Sequence, residues 1–272
     1  MPGHRFVPLT GSEMDCYQLA REGVPSLLGN GLIFTDERVW KPTPPLLPGL
    51  KIYDAIYSAR LASSKRHELA AEVESLLLVY ADSIQWPNDV AYEKIKAILP
   101  RAYFFNHEAG GDRYAFLDAK TMAMIMAHGR VGLCLSAVEG SMRAAMEYLL
   151  SGLPIVSTRS IGGRDRYFLG GYCRIVDDDP SAVAQAVREL VGRKLDRRRI
   201  RAHVAELLAF DRYNFLLNAR KITKAILDRD DLLPEIEPLI GSIERFRELA
   251  EIVIMAESQF RHADAAGDRA PS

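Results

Sequence analysis

From Lys51 onward, short apolar runs alternate with longer helical patterns, a rhythm that predicts a parallel α/β sheet with crossover helices. IYDAIYS is the first predicted strand and SKRHELAAEVESL the helix after it. LLLVYA is a second strand, or the end of that helix running into one. VAYEKIKAIL then reads as a helix, RAYFFN as a strand and DAKTMAMIMAHG as a helix closing at Gly129. VGLCLS carries no charge, as expected of a strand covered by helices on both faces. The helix SMRAAMEYLLSG, closed by Gly152, and the strands LPIVST and CRIVDD follow, and Ser181 is the expected cap of the helix AVAQAVRELVG. This βαβαβαβαβ order has the length of one Rossmann-like domain.

The flanks read differently. Residues 41–50, KPTPPLLPGL, hold four of the fourteen prolines, which excludes regular helix and central strand and marks a linker. After Arg193 the chain turns helical and charged, with DRRRIRAHVAELL, FLLNARKITKAILDRDD and IERFRELAEIVIMAESQF as candidate helices. The expected organisation is a remnant or linker over 1–50, a Rossmann-like domain over 51–192, C-terminal helices over 193–262 and a polar, disordered tail over 263–272. The stripe of Ile243, Phe246, Leu249, Ala250, Val253, Ile254 and Phe260 predicts a covered face, by a second copy or a partner protein.

Composition narrows the function classes. The 272 residues are 48% hydrophobic, enough for a full core. A formal charge of −1 gives no pull towards nucleic acid, and the run Arg197, Arg198, Arg199, Arg201 reads as a solvated helix face because no aromatics interleave it. Met122, Met124 and Met126 read as core filler. Three scattered cysteines suggest neither a disulfide framework nor a zinc site, and a soluble, cytoplasmic protein is expected. No metal-ligand cluster or Ser/His/Asp set is visible. His67 and His107 read as loop residues rather than catalytic bases.

The chemistry concentrates in VGLCLSAVEGSMRAAMEYLLSGLPIVST, residues 131–158. A buried strand ends near Ser136, a loop carries Glu139 and Gly140, and a helix begins near Ser141 and Met142. Such a loop lies at the carboxyl edge of the sheet, where open α/β folds bind ligands. Glycine beside a helix start lets the backbone approach a phosphate, which free N–H groups and the helix dipole favour. Glu147 stands further along that helix, and ionised carboxylates accept hydrogen bonds from vicinal hydroxyls. Asn106, at the end of RAYFFN, is a candidate contact to a nucleobase. Arg164, in the glycine-containing IGGRDRYF, is a further candidate at the same edge, with Asp165 as its expected pair.

This stretch resembles the E-x7-E segment of retaining GT-B glycosyltransferases of the group 1 type. Glu139-Gly140 and Glu147 stand at the two acidic positions, Ser151-Gly152-Leu153-Pro154 at the turn and Ile155-Val156-Ser157-Thr158 at the following strand. YSARLASSKRHELA resembles the family's GR…KG segment, with Arg60 and Lys65 at the cationic positions. LLGNGLIFTDERVWKP resembles the NGVD…F-P segment, through Asn30-Gly31 and Trp40-Lys41-Pro42. The chain departs from the pattern at Ala59, Arg66 and Ser141-Met142, which replace a glycine, a glycine and Phe-Gly.

The resemblance implies transfer of a sugar from a nucleoside diphosphate donor, with retention and without a metal or other cofactor. It gives Arg60 and Lys65 the diphosphate, Glu139 the sugar hydroxyls and Glu147 the ribose hydroxyls. A complete enzyme of this kind has two Rossmann-like domains, whereas only residues 1–50 precede this one. The acceptor, which is not identified, is therefore expected to be bound with help from a separate acceptor-domain protein or across a homodimer. The alternative is a non-catalytic donor-binding subunit or regulatory module that needs a separate acceptor-domain partner.

Overall fold

The computed structural model describes residues 7–82, 88–111 and 113–227. The expected helix over 243–260, with its apolar stripe, lies outside the described residues, as does the tail. The chain divides into two compact units, one drawn from 1–34 and 207–272 and the other from 35–206.

In the first unit, strand β1 (Leu9–Thr10) pairs in parallel with β2 (Leu27–Leu28), and helix α1 (Glu13–Arg21) connects them. Ser12 caps α1 by accepting the Asp15 N–H at 3.2 Å, and Glu13 and Asp15 place negative charge at its positive end. The buried Asn30 holds a turn, accepting the Leu32 N–H at 3.1 Å and donating to the Gly11 carbonyl at 3.3 Å. Arg212 donates to the Ile33 carbonyl at 2.8 Å, and Phe34 meets Phe215 edge-on at 6.3 Å. Part of the expected remnant is thus folded structure.

The second unit is a six-stranded parallel sheet. Its strands are β3 (Tyr53–Ser58), β4 (Leu76–Val79), β5 (Tyr103–Phe104), β6 (Gly129–Cys134), β7 (Ile155–Thr158) and β8 (Cys173–Val176). They lie in the order β5-β4-β3-β6-β7-β8, the doubly wound arrangement whose direction of travel reverses between β3 and β6. The crossovers contain α2 (Asp89–Ile98), α3 (Phe105–Ala109), α4 (Ala119–Met126) and α5 (Arg143–Leu150). Helix α6 (Pro180–Gly192) follows β8, and α7 (Arg197–Leu227) ends the described chain. All of β4 and β7, and all of β6 except Arg130, are buried, which explains their uncharged sequences.

The structure departs locally from the sequence expectation at five places. The stretch after β3 forms two 3-10 turns, Ser63–Lys65 and His67–Ala70, instead of one α-helix. Arg66 between them adopts φ 51°, a left-handed conformation that interrupts a helix. RAYFFN keeps only two residues of strand before α3 begins at Phe105, and α5 starts at Arg143 rather than near Ser141. Asp179, not Ser181, caps α6, accepting the Ala182 N–H at 2.9 Å with Pro180 at the first helical position. The helices expected separately at 196–208 and 215–231 are continuous over the described Arg197–Leu227, since no glycine or proline interrupts that stretch.

One close approach sets the position of α5. A Cβ on Gly132 would lie 2.3 Å from the Tyr148 ring, so glycine in β6 admits that ring against the sheet. Tyr148 then reaches the end of β3, where its hydroxyl accepts the Ser58 N–H at 2.5 Å. Helix α5 and the carboxyl end of β3 are thereby tied across the reversal point.

Candidate functional site

The carboxyl ends of β3 and β6 bring Lys65 and Glu139 together. The Lys65 ammonium donates to the Glu139 carboxylate in an ion pair whose side chains are only 17% and 19% exposed. Burial pushes the Glu139 carboxyl up, but the Lys65 hydrogen bond and charge outweigh it, so the group is held below the usual carboxylate range. The turn carrying Lys65 is fixed by Tyr57, whose buried hydroxyl donates to the Lys65 carbonyl. Arg60 is exposed, two residues beyond β3.

The Glu139 backbone is clamped by the next loop. Its N–H donates to the Ile161 carbonyl at 2.9 Å, its carbonyl accepts the Arg164 N–H at 3.2 Å, and the Ile161 N–H donates to Ala137 at 2.9 Å. Gly162 makes this possible, because φ 116° excludes most side chains and an added Cβ would meet the Glu139 backbone at 3.0 Å. Gly140 and the exposed Ser141 then lead into α5, while the Met142 side chain is buried and leaves only its backbone for ligand contact.

Glu147, placed by the sequence further along the ligand, is instead buried in α5. It is 8% exposed, and burial pushes its carboxyl up to about 7, opposed by the Arg143 charge one turn earlier. Its protonation is therefore in balance near neutral pH.

Two donor-site candidates are placed otherwise than expected. Asn106 is fully buried, and its amide is committed to the protein: its oxygen accepts the Tyr80 N–H at 2.8 Å, and its nitrogen donates to the Ala115 carbonyl at 2.8 Å. Arg164 is also fully buried. Its guanidinium donates to the Ser136 carbonyl, Ser157 Oγ and the Thr158 carbonyl at 2.6, 2.8 and 2.6 Å, locking β6 to β7 instead of facing a ligand. Asp165 beside it is exposed. Polar residues that end uncharged strands were the available signal for this lock.

The histidines lie in a 3-10 turn and in α3 rather than in open loops. His67 is 1% exposed and packs on Tyr57 at 5.1 Å, and burial with the Lys65 charge lowers its pKa to about 4. His107 stacks on Tyr92 at 4.1 Å. Among the described residues no group of three or more metal-ligating side chains occurs, and no helix is long and apolar enough to cross a membrane.

The sequence marks Arg66 only as a departure from the family's glycine. It sits at the centre of the edge, donating from Nε to the Leu135 carbonyl at 2.6 Å, from Nη2 to Thr158 Oγ1 at 2.5 Å and from Nη1 to Asp178 at 2.6 Å.

No family model and no curated protein sequence matches the chain. Solved structures do. The chain superposes on sucrose-phosphate synthase from Thermosynechococcus elongatus with a TM-score of 0.52 and 16% identity, covering 96% of this chain and 58% of that one. Anabaena HepE in complex with UDP gives a TM-score of 0.54 at 12% identity, covering 82% and 64%. AviGT4, a glycosyltransferase of avilamycin A biosynthesis, gives 0.51 at 12%, covering 81% and 66%. The fold is that of the GT-B glycosyltransferases. The chain spans 58 to 66% of the length of these three structures.

Proposed function

We propose that this chain binds a nucleoside diphosphate sugar at the carboxyl edge between β3 and β6 and takes part in transferring the sugar to an acceptor. The observation that carries the reading is the meeting of Lys65 and Glu139, 74 residues apart in sequence, at the reversal point of the sheet. Open α/β sheets take ligands at that place. HepE, of similar fold, was solved with UDP bound.

In this reading Lys65 and Arg60 hold the diphosphate, whose negative charge grows as the glycosidic bond breaks, and fixed cations stabilise that charge. These side chains supply the neutralisation that a metal gives elsewhere, so the reading assigns no cofactor. Gly140, Ser141 and the Met142 backbone line the approach to the start of α5. Glu139 receives sugar hydroxyls once the diphosphate competes for Lys65, and Glu147 in its ionised form receives ribose hydroxyls. Retention of configuration belongs to this proposal through the E-x7-E resemblance, as does completion of the acceptor site by a second copy or a separate protein.

A thermal-shift panel of uridine, guanosine, adenosine and thymidine diphosphates and their sugars tests the reading, since a ligand selective for the folded state raises the melting temperature. At least one should raise it and should be hydrolysed or transferred when supplied as the sugar donor. No shift with any of them at millimolar concentration contradicts the proposal.

A further inference from the structure

Arg66, the residue after Lys65, holds φ 51° and ψ 52°, a left-handed conformation that non-glycine side chains rarely adopt. The Arg66 side chain uses that backbone direction. From the β3 turn it reaches across the sheet edge to the Leu135 carbonyl beyond β6, the Thr158 hydroxyl ending β7 and the Asp178 carboxylate beyond β8. Its guanidinium is engaged with protein at Nε, Nη1 and Nη2, and the side chain is 17% exposed. It therefore offers little to a ligand directly, yet it fixes the loop from which the neighbouring Lys65 meets Glu139.

We propose that Arg66 is the positioning residue of the donor site, holding Lys65 where a diphosphate must find it. This inference rests on the donor-site reading above. A planar guanidinium bonded to three separate strand ends sets the direction of the adjacent turn more narrowly than a glycine there could. Positioning of this kind acts on the group it aligns and leaves the remainder of the ligand unaffected.

The test uses the full chain and three probes: the nucleoside diphosphate found to bind, its matching nucleoside, and pyrophosphate. Arg66→Gly suits the left-handed backbone while removing every side-chain bond. It should weaken diphosphate and pyrophosphate binding on the order of tenfold, as expected for a misplaced charged hydrogen bond. Nucleoside binding should be unchanged. In a Lys65→Met background the same substitution should cause no further loss. Asp178→Asn, at a carboxylate with 56% side-chain exposure, should give a smaller loss with the same selectivity. Unchanged diphosphate affinity in Arg66→Gly, equal losses for nucleoside and diphosphate, or an undiminished loss in the Lys65→Met background would each overturn the inference. If Arg66→Gly fails to fold, Asp178→Asn decides, and wild-type affinity there overturns it. A wild-type chain that binds no nucleoside diphosphate removes the donor-site reading and this inference together.

Discussion

At the residue scale, Glu147 makes the sharpest statement about pH. Its folded pKa of about 7 lies above the ordinary carboxylate value of 4.5, so between those values the folded chain keeps a proton that the unfolded chain has released. The associated stability is present in full below about pH 4.5 and is lost as pH rises through 7. Glu147→Gln keeps the neutral form at every pH, so it should be more stable than wild type at pH 8, by at most about 3 kcal/mol, and nearly equal at pH 5. Denaturant unfolding at the two pH values checks this. A variant less stable at both would mean that an interaction holds the carboxylate ionised. If ribose hydroxyls bind the ionised form, nucleotide binding at pH 6 should release protons, which calorimetry in buffers of different ionisation enthalpy detects. Glu139→Gln should behave differently. It frees Lys65, so nucleoside diphosphate should bind more tightly, while sugar transfer should fall; weaker diphosphate binding would mean that Glu139 aligns Lys65 rather than competing for it.

At the element scale, Gly132 sets how closely α5 lies on β6. Gly132→Ala forces the Tyr148 ring away and strains its bond to Ser58, and overpacking of this kind costs about 1 to 3 kcal/mol. Thermal unfolding should show the loss, and an unchanged melting temperature would mean that α5 shifts freely. The strands and most helices were legible because uncharged runs and helical periodicity report burial directly, as in VGLCLS and VAYEKIKAIL. Glu139 and Glu147 were legible as a spaced pair, but spacing says nothing of depth, and the burial of Glu147 follows from how α5 packs. The turns over 63–70 were not legible, because SKRHELAAEVESL has helical periodicity and Arg66 interrupts it through bonds to residues 69 to 112 positions away. Asn106 and Arg164 misled for the same reason: their polar groups satisfy the protein's own buried backbone.

At the scale of the whole molecule, every residue placed in the donor site lies within 35–206. The GT-B fold accounts for that unit, and the central claim is that its sheet edge takes a nucleoside diphosphate. Calorimetric titration of the full chain with the four nucleoside diphosphates, repeated on Lys65→Met, tests this most directly. The account predicts saturable binding of at least one by the wild type. It also predicts weakening by tenfold or more in the variant, corresponding to about 1.5 kcal/mol or more for the lost charged contact. Equal affinity in Lys65→Met, or no binding of any diphosphate by a folded wild-type chain at millimolar concentration, would contradict it.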